Sequence, residues 1–277
     1  MHKKRNSLFV GIGIVIFTVI ILLPFIVEIS TALKAKTELF SFPSTIIPKK
    51  LQFSNLIEVW NIVPLKQVFR NTYFVIGCAL VLNFVISLPA AYALSAIEFT
   101  GRKLVLALAF IAQMFMPVLV VVPVFTTIRD LGLMDNLFAL VITGTAFSVS
   151  FVVLLMKGFF DTIPKEVVEA ARIDGCNTFG VLTKIYMPLC ASGIVVAVIY
   201  SAILVNNEFL FSNTLINSSD NMVMSVAIAK LIKANPYEAV TWNYVMACAM
   251  WGALPIQIIF LFIRKHLAKG LTAGAIK

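Results

Sequence analysis

The sequence predicts an all-α, polytopic membrane protein with six transmembrane helices, and three observations carry that expectation. Of its 277 residues, 60% are hydrophobic and 13% charged, 23 are phenylalanine, and the mean hydropathy is +0.98. Lipid is most of the solvent of such a chain, because a soluble domain of this length needs far more polar surface. The apolar residues fall in runs close to the ~20 that a helix needs to cross hydrocarbon. Between two of those runs lies a polar interlude, residues 161–189, holding Asp161, Lys165, Glu166, Glu169, Arg172, Asp174 and Lys184. Those charges exclude it from the bilayer core.

Lys3, Lys4 and Arg5 precede an apolar run over about residues 8–29. A signal peptide opens the same way, but this run is longer than a usual signal core, passes through Pro24 and Glu28, and lacks a convincing small-residue cleavage site. An uncleaved first span is the reading. Residues 30–70 form the longest polar region, broken by Pro43, Pro48 and Pro64. Its Phe40, Phe42, Leu56, Ile57 and Trp60 mark interfacial or packed pieces instead of a disordered linker. Span two is expected over about 73–97, interrupted by Asn83 and Pro89. Span three, about 104–128, contains Gln113, Pro117 and Pro123, and its prolines predict kinks whose freed carbonyls need neighbours or water. Span four covers about 137–160, span five 188–211 and span six 240–263, with residues 222–232 expected as a short surface helix. The organisation is thus an N-terminal helix and outer loop (1–70), a transmembrane core (71–263) and a C-terminal tail (264–277).

Basic residues set the expected topology. With the N-terminus inside, the inner segments carry 13 of the 22 Lys and Arg against five acids, and the outer segments nine against eight. The excess of positive charge on one side places both termini and the interlude in the cytoplasm. Basic residues gather beside apolar runs and do not interleave with aromatics over a soluble platform, so nucleic acid is not an expected partner. Cys78, Cys176, Cys190 and Cys248 have no ligand-like spacing and read as buried thiols.

Within the interlude the pattern predicts two short helices around a glycine. Thr162 is placed to cap the first, Pro164 suits its opening turn, Glu166 sits where the helix dipole favours an anion, and Gly175 closes it. Asn177 or Thr178 restarts a second helix to about Ile185, and Pro188 opens the next span. Val167, Val168, Ala170 and Ala171 give the first helix a small apolar face beside a charged one. That is the shape of a docking element, too short to be stable alone; a solvated connector between two spans is the plainer alternative.

Chemistry by the chain itself is not expected. There is no Gly-rich phosphate loop ending in Lys-Ser or Lys-Thr, and the histidines are His2 and His266, too few for a triad or a zinc site. Gly11 and Gly13 lie in an apolar helix and read as packing positions. No catalytic residue, metal site or cofactor is expected, and any active transport must draw its energy from another polypeptide. Asn83, Gln113 and the trio Asn206, Asn207 and Glu208 are polar groups in apolar spans. The trio lies about 17 to 19 residues into span five, roughly 25–30 Å along its axis and near its outer end. An ionisable group there faces protein or water, because lipid exposure costs several kcal/mol. Lining of a solute path competes with plain interhelical hydrogen bonding for all five.

The interlude also carries a resemblance. Glu169-Ala170-Ala171-Arg172-Ile173-Asp174-Gly175, with Ile163-Pro164 upstream and Ile185-Tyr186-Met187-Pro188 downstream, resembles the cytoplasmic "EAA" loop of the membrane-spanning subunits of binding-protein-dependent ABC importers. It is most similar to the carbohydrate-uptake branch, in particular the shorter permease of the maltose-type pair. Arg70-Asn71-Thr72, Tyr92-Ala93-Leu94, Phe99-Thr100-Gly101-Arg102, Leu131-Gly132-Leu133, Asn207-Glu208-Phe209-Leu210 and residues 270–275 agree with that branch. Met187 stands where the family usually has leucine, and Asn206 where tryptophan usually precedes Asn207. The resemblance implies a type I importer permease fold in a prokaryotic plasma membrane. It implies that Glu169, Ala170, Ala171, Arg172, Asp174, Gly175, Ile185 and Pro188 seat the loop on a cytoplasmic ABC ATPase dimer. It further implies a second homologous permease, an extracytoplasmic solute-binding protein, and uptake of a sugar, oligosaccharide or related polyol derivative. A secondary solute carrier, or a membrane scaffold that recruits a cytoplasmic partner, is the alternative reading.

Overall fold

A computed structural model of the chain describes residues 2–43, 45–233 and 241–273, and among these it holds helices and no strand. In chain order the helices are α1 (His2–Ala32), α2 (Lys36–Leu39), α3 (Ser54–Ile62), α4 (Leu65–Ala96), α5 (Arg102–Met114), α6 (Pro117–Asp130), α7 (Leu137–Phe160), α8 (Lys165–Ile173), α9 (Thr178–Val181), α10 (Met187–Leu189), α11 (Ala191–Asn206), α12 (Leu210–Leu215), α13 (Met224–Lys233) and α14 (Trp242–Ala273), with a π-helical turn over Leu182–Tyr186. Among the described residues four helices are long and apolar enough to cross a membrane, and six spans result if the bent pairs α5–α6 and α9–α11 each count as one. The chain divides into two compact units, Met1–Lys66 with Ala227–Ala253 and Gln67–Val226 with Leu254–Lys277.

In the first unit α1 continues through Pro24, and only 6% of its apolar stretch is buried. The segment after it is held by backbone and amide contacts: Gln52 N–H donates to Leu33 O at 2.9 Å, and Asn55 Nδ2 to Ala32 O and Lys34 O at 2.8 and 2.9 Å. Trp60 meets Trp251 edge-on at 5.1 Å, and the Trp251 indole donates to Leu56 O.

In the second unit α7 is the central helix, packed against α5, α11 and α12 with half of its length buried. A core cluster joins the C-terminal ends of α4 and α7 to the interlude through Leu88, Tyr92, Met156, Phe160, Val168 and Tyr186.

Several expected boundaries move. Span three is two helices bent by 101°: Met116 is extended at ψ 133°, as residues before proline prefer, and Pro117 opens α6. Pro123 stays inside α6, and the hydroxyls of Thr126 and Thr127 both donate to its carbonyl. Pro188 does not open span five. The second interlude helix runs on to Leu189 because the π-turn lets Met187 N–H reach Leu182 O, and the chain then bends by 83° at Cys190 into α11. Span five ends at Asn206 and α12 follows as a separate piece from Leu210, so Asn206 is the last helical residue while Asn207 and Glu208 lie in a break and not in a late helical turn. The surface helix expected over 222–232 is α13, and Met224, Val226, Ala227 and Leu231 on it are buried. Val240 of span six and the residues of the C-terminal tail after Ala273 lie outside the described residues.

Candidate functional site

The interlude folds outward from its core face. Val168 and Ala171, one helical turn apart, turn into the core cluster, while Glu169, Ala170, Arg172, Asp174 and Gly175 are exposed. Pro164 is the N-cap of α8. Thr162 does not cap it: two residues too early, its hydroxyl donates back to Phe159 O at 2.7 Å. At the other end the Cys176 and Gly175 amides donate to Ala171 O and Arg172 O at 3.0 Å each, a six-to-one and four-to-one pair around a glycine at φ +85°. A side chain at that φ is strained, which is why glycine ends this helix. Asn177 Oδ1 then accepts from Gly180 N–H at 2.7 Å and restarts the chain as α9.

Of the residues expected to dock, Ala171 faces the core, Ile185 is half-buried against it, and Pro188 is exposed. Apolar residues that the motif does not name stand out beside them: Ile173 is 86% exposed, Phe179 72%, and Val167 40%. The spacing 167, 170, 173 was the available signal, since positions three apart share one face just as 168 and 171 share the other.

The loop is tied to the spans that flank it. Tyr186 packs edge-on against Tyr92 and Phe160, each with ring centres 5.0 Å apart. Ser95 at the end of α4 donates to Asp161 at 2.7 Å, and Lys157 pairs with the same carboxylate. A Cβ on Gly193 of α11 would lie 2.5 Å from the Phe159 ring, so only glycine lets α11 and α7 approach here. Beside α8 opens a cleft of about 490 Å³ lined by Glu98, Arg102, Asp161, Lys165, Glu169 and Arg172.

The polar span residues do not form one site. Asn83 is fully buried: Nδ2 donates to Ser148 Oγ at 2.6 Å and more weakly to Ser201 Oγ at 3.4 Å, and Oδ1 accepts from Ser87 at 2.6 Å. It joins α4, α7 and α11. Gln113 is exposed on α5, one residue before its end. Glu208 accepts from Phe211 N–H, Ser212 N–H and Ser212 Oγ at 2.8, 2.9 and 3.0 Å, and so caps α12. Its own carbonyl accepts from Ser225 Oγ at 2.9 Å. Asn206 Oδ1 is buried without a partner among the described residues, beside a space of about 10 Å³ lined by Thr72, Glu208, Ser212 and Ser225, room for about one water. Asn207 is exposed. Asn71 and Thr72 hold the opposite wall: Asn71 donates to Asp220 O and Met222 O at 2.7 and 3.0 Å, and Thr72 Oγ1 accepts from Met224 N–H at 3.0 Å. Sequence reasoning did not single out this role for Asn71 and Thr72.

A family model described as "Binding-protein-dependent transport system inner membrane component" matches residues 83–273. The chain is 32% identical over 279 residues to the inner membrane ABC transporter permease protein YcjP of Escherichia coli, covering 99% of both. It is 30% identical over 256 residues to the melibiose/raffinose/stachyose import permease protein MelC of Bacillus subtilis, covering 92% of this chain and 91% of that one. Among solved structures, a chain of a bacterial ABC transporter involved in the import of the acidic polysaccharide alginate superposes with a TM-score of 0.79 at 24% identity, over 96% of this chain and 97% of the other. The fold is that of a type I ABC importer permease.

Proposed function

Because the chain belongs to the family of inner membrane components of binding-protein-dependent transport systems, we propose that it is one half of the translocation path of a sugar importer and takes its power stroke through α8. It is a multi-pass, non-catalytic membrane subunit, and ATP hydrolysis belongs to a separate subunit. The solute in this reading is a neutral sugar, oligosaccharide or polyol derivative delivered by an extracytoplasmic binding protein, in keeping with the import of melibiose, raffinose and stachyose ascribed to MelC. A second, homologous permease completes the path, a cytoplasmic ATPase dimer carries the pair, and both termini face the cytoplasm, as the bias of basic residues favours.

The carrying observation is the two-faced α8. Val168 and Ala171 fix the helix to the core while Glu169, Ala170, Arg172, Asp174 and Gly175 remain on the surface with Val167, Ile173 and Phe179. An ATPase cleft that closes on this surface moves a rigid body. The displacement passes through the Tyr186, Tyr92 and Phe160 rings and the Ser95–Asp161 bond to α4 and α7, and through the bend at Cys190 to α11. Ile185 and Pro188 stiffen the return limb. On the path, Asn206 ends α11 and Asn207 and Glu208 follow it in a polar break, with Gln113 and Asn83 as further polar positions.

Purification from native membranes in mild detergent tests this reading. A stoichiometric ATPase and a second permease are expected, together with nucleotide-dependent sugar uptake on reconstitution. Uptake driven by a cation gradient with no ATPase present identifies a secondary carrier instead, and a partner complex that moves no solute identifies a scaffold.

A further inference from the structure

The segment that follows α1 is folded inside out. Its polar groups turn toward its own interior: Ser30 Oγ donates to Ile46 O, the Lys34 ammonium to Thr45 O, and Glu38 Oε1 accepts from Thr45 Oγ1 and Lys49 N–H at 3.0 Å each. Ser30 and Lys34 are buried. What faces outward is apolar. Phe42 is 98% exposed and Ile47 80%, with Phe40, Ile46, Leu51 and Phe53 at 54% or more. Lys36, Lys49 and Lys50 are exposed among them. A patch of this kind on a water-washed loop has no ordinary place on a soluble surface.

Depth decides what covers it. Ser30 lies two residues before the end of α1, about 3 Å along the helix axis. Its bond to Ile46 therefore folds the segment back to the level of the last turn of α1. At that level α1 itself still presents Val27 and Ile29 outward. The exposed side chains thus continue the exposed apolar surface of α1, and the lysines sit among them on flexible stems that can reach polar headgroups.

We propose that residues 40–43 and 45–53 seat in the headgroup layer of the bilayer, with Phe42, Ile46 and Ile47 at the acyl boundary and Lys36, Lys49 and Lys50 against phospholipid phosphates. The segment is a lipid anchor for the C-terminal end of α1. This inference rests on the membrane-spanning reading of α1 and not on the identity of the solute.

Photocrosslinking in the assembled transporter tests it. Benzoylphenylalanine replaces Phe42 or Ile47, and in a third sample Val19 within α1, in nanodiscs that mix phosphatidylethanolamine and phosphatidylglycerol. Phospholipid adducts at 42 and 47 are expected. Adducts with the binding protein or the second permease, or none at all, overturn the proposal. Position 19 separates the two ideas: adducts there with none at 42 and 47 leave α1 as a span and remove only the anchor, whereas none at any position removes the span as well. Reversing the charges, Lys49→Glu with Lys50→Glu, is expected to cut the phosphatidylglycerol share of adducts at least threefold. An unchanged share overturns the part assigned to the lysines.

Discussion

In the loop over 161–189, Val168 and Ala171 turn into the core while Glu169, Arg172 and Asp174 face out; in the segment after α1, Ser30, Lys34 and Glu38 turn inward while Phe42, Ile46 and Ile47 face out. Both are polar stretches that leave an apolar span, and their compositions alone do not distinguish them. The difference lies in which solvent each surface meets. A loop that meets water or a partner protein buries its aliphatic side chains and leaves its charges hydrated. A segment pressed against hydrocarbon gains nothing from hiding phenylalanine, yet must satisfy every hydroxyl, amide and carbonyl internally. Side-chain direction therefore reports the environment that residue type leaves open.

The largest effect that bears on this contrast is expected at Gly175. Its φ of +85° places it in the left-handed region, where an L side chain costs about 1–2 kcal/mol, and any side chain also stands on the surface proposed to meet the ATPase. Gly175→Val is expected to reach the membrane in normal amount and to lose ATP-dependent uptake by tenfold or more. Gly175→Asn, which tolerates that backbone, should lose less. Undiminished uptake by the valine variant at normal abundance removes the seating of this turn from the mechanism.

Next in size is a pair of substitutions across α8. Val168→Asp places a carboxylate in the core cluster beside Tyr186 and Phe160, at a cost of about 3–5 kcal/mol for an uncompensated buried charge, and should lower the thermal stability of the purified permease. Ile173→Asp alters a side chain that is 86% exposed, so Tm is expected to hold while co-purified ATPase falls several-fold. If both variants lose stability alike, α8 has no free face and the two loops are built on the same plan.

Much of this was legible in the sequence, for reasons that differ from place to place. Helices α1, α4, α7 and α14 follow from runs too apolar for water, and the turn at Gly175 follows from a glycine set after Ile173 and Asp174 with Asn177 beyond it. A kink in span three was legible from its prolines, but that Pro117 and not Pro123 makes it, and the bend at Cys190, were not. Pro117 breaks its span whereas Pro24, Pro89 and Pro188 lie within helical turns, because a proline's effect depends on whether neighbouring carbonyls find another donor, and that is a tertiary matter. Glu208 showed as a charge in an apolar stretch, but its place at the head of α12 depends on a break after Asn207 that the hydropathy profile passes over. Asp135, at φ +57° with its carboxylate on Asn217 and Ser218, gave no signal of its own because those partners lie more than eighty residues away.

The smallest effect tests the inward-turned side of the contrast through Glu38. The Lys49 amide donating to its carboxylate, together with Thr45 Oγ1 and the nearby charges of Lys34 and Lys49, holds its pKa below the ordinary glutamate value of 4.5, against the partial burial that raises it. A carboxyl whose pKa is lower in the folded protein than in the unfolded chain adds order that is complete above the unfolded value and is lost as pH falls through the folded one. The segment should therefore keep its shape at neutral pH and loosen only below about pH 4. Phospholipid adducts from position 42 should decline over that acid range while those from Val19 do not. Glu38→Gln keeps one acceptor for the Lys49 amide but removes the charge, so it should flatten the acid limb and lower the neutral yield modestly. An acid decline unchanged by Glu38→Gln assigns the titration to another group, and a yield flat with pH in the unaltered protein means the apolar face is held by lipid alone, without help from the polar groups turned beneath it.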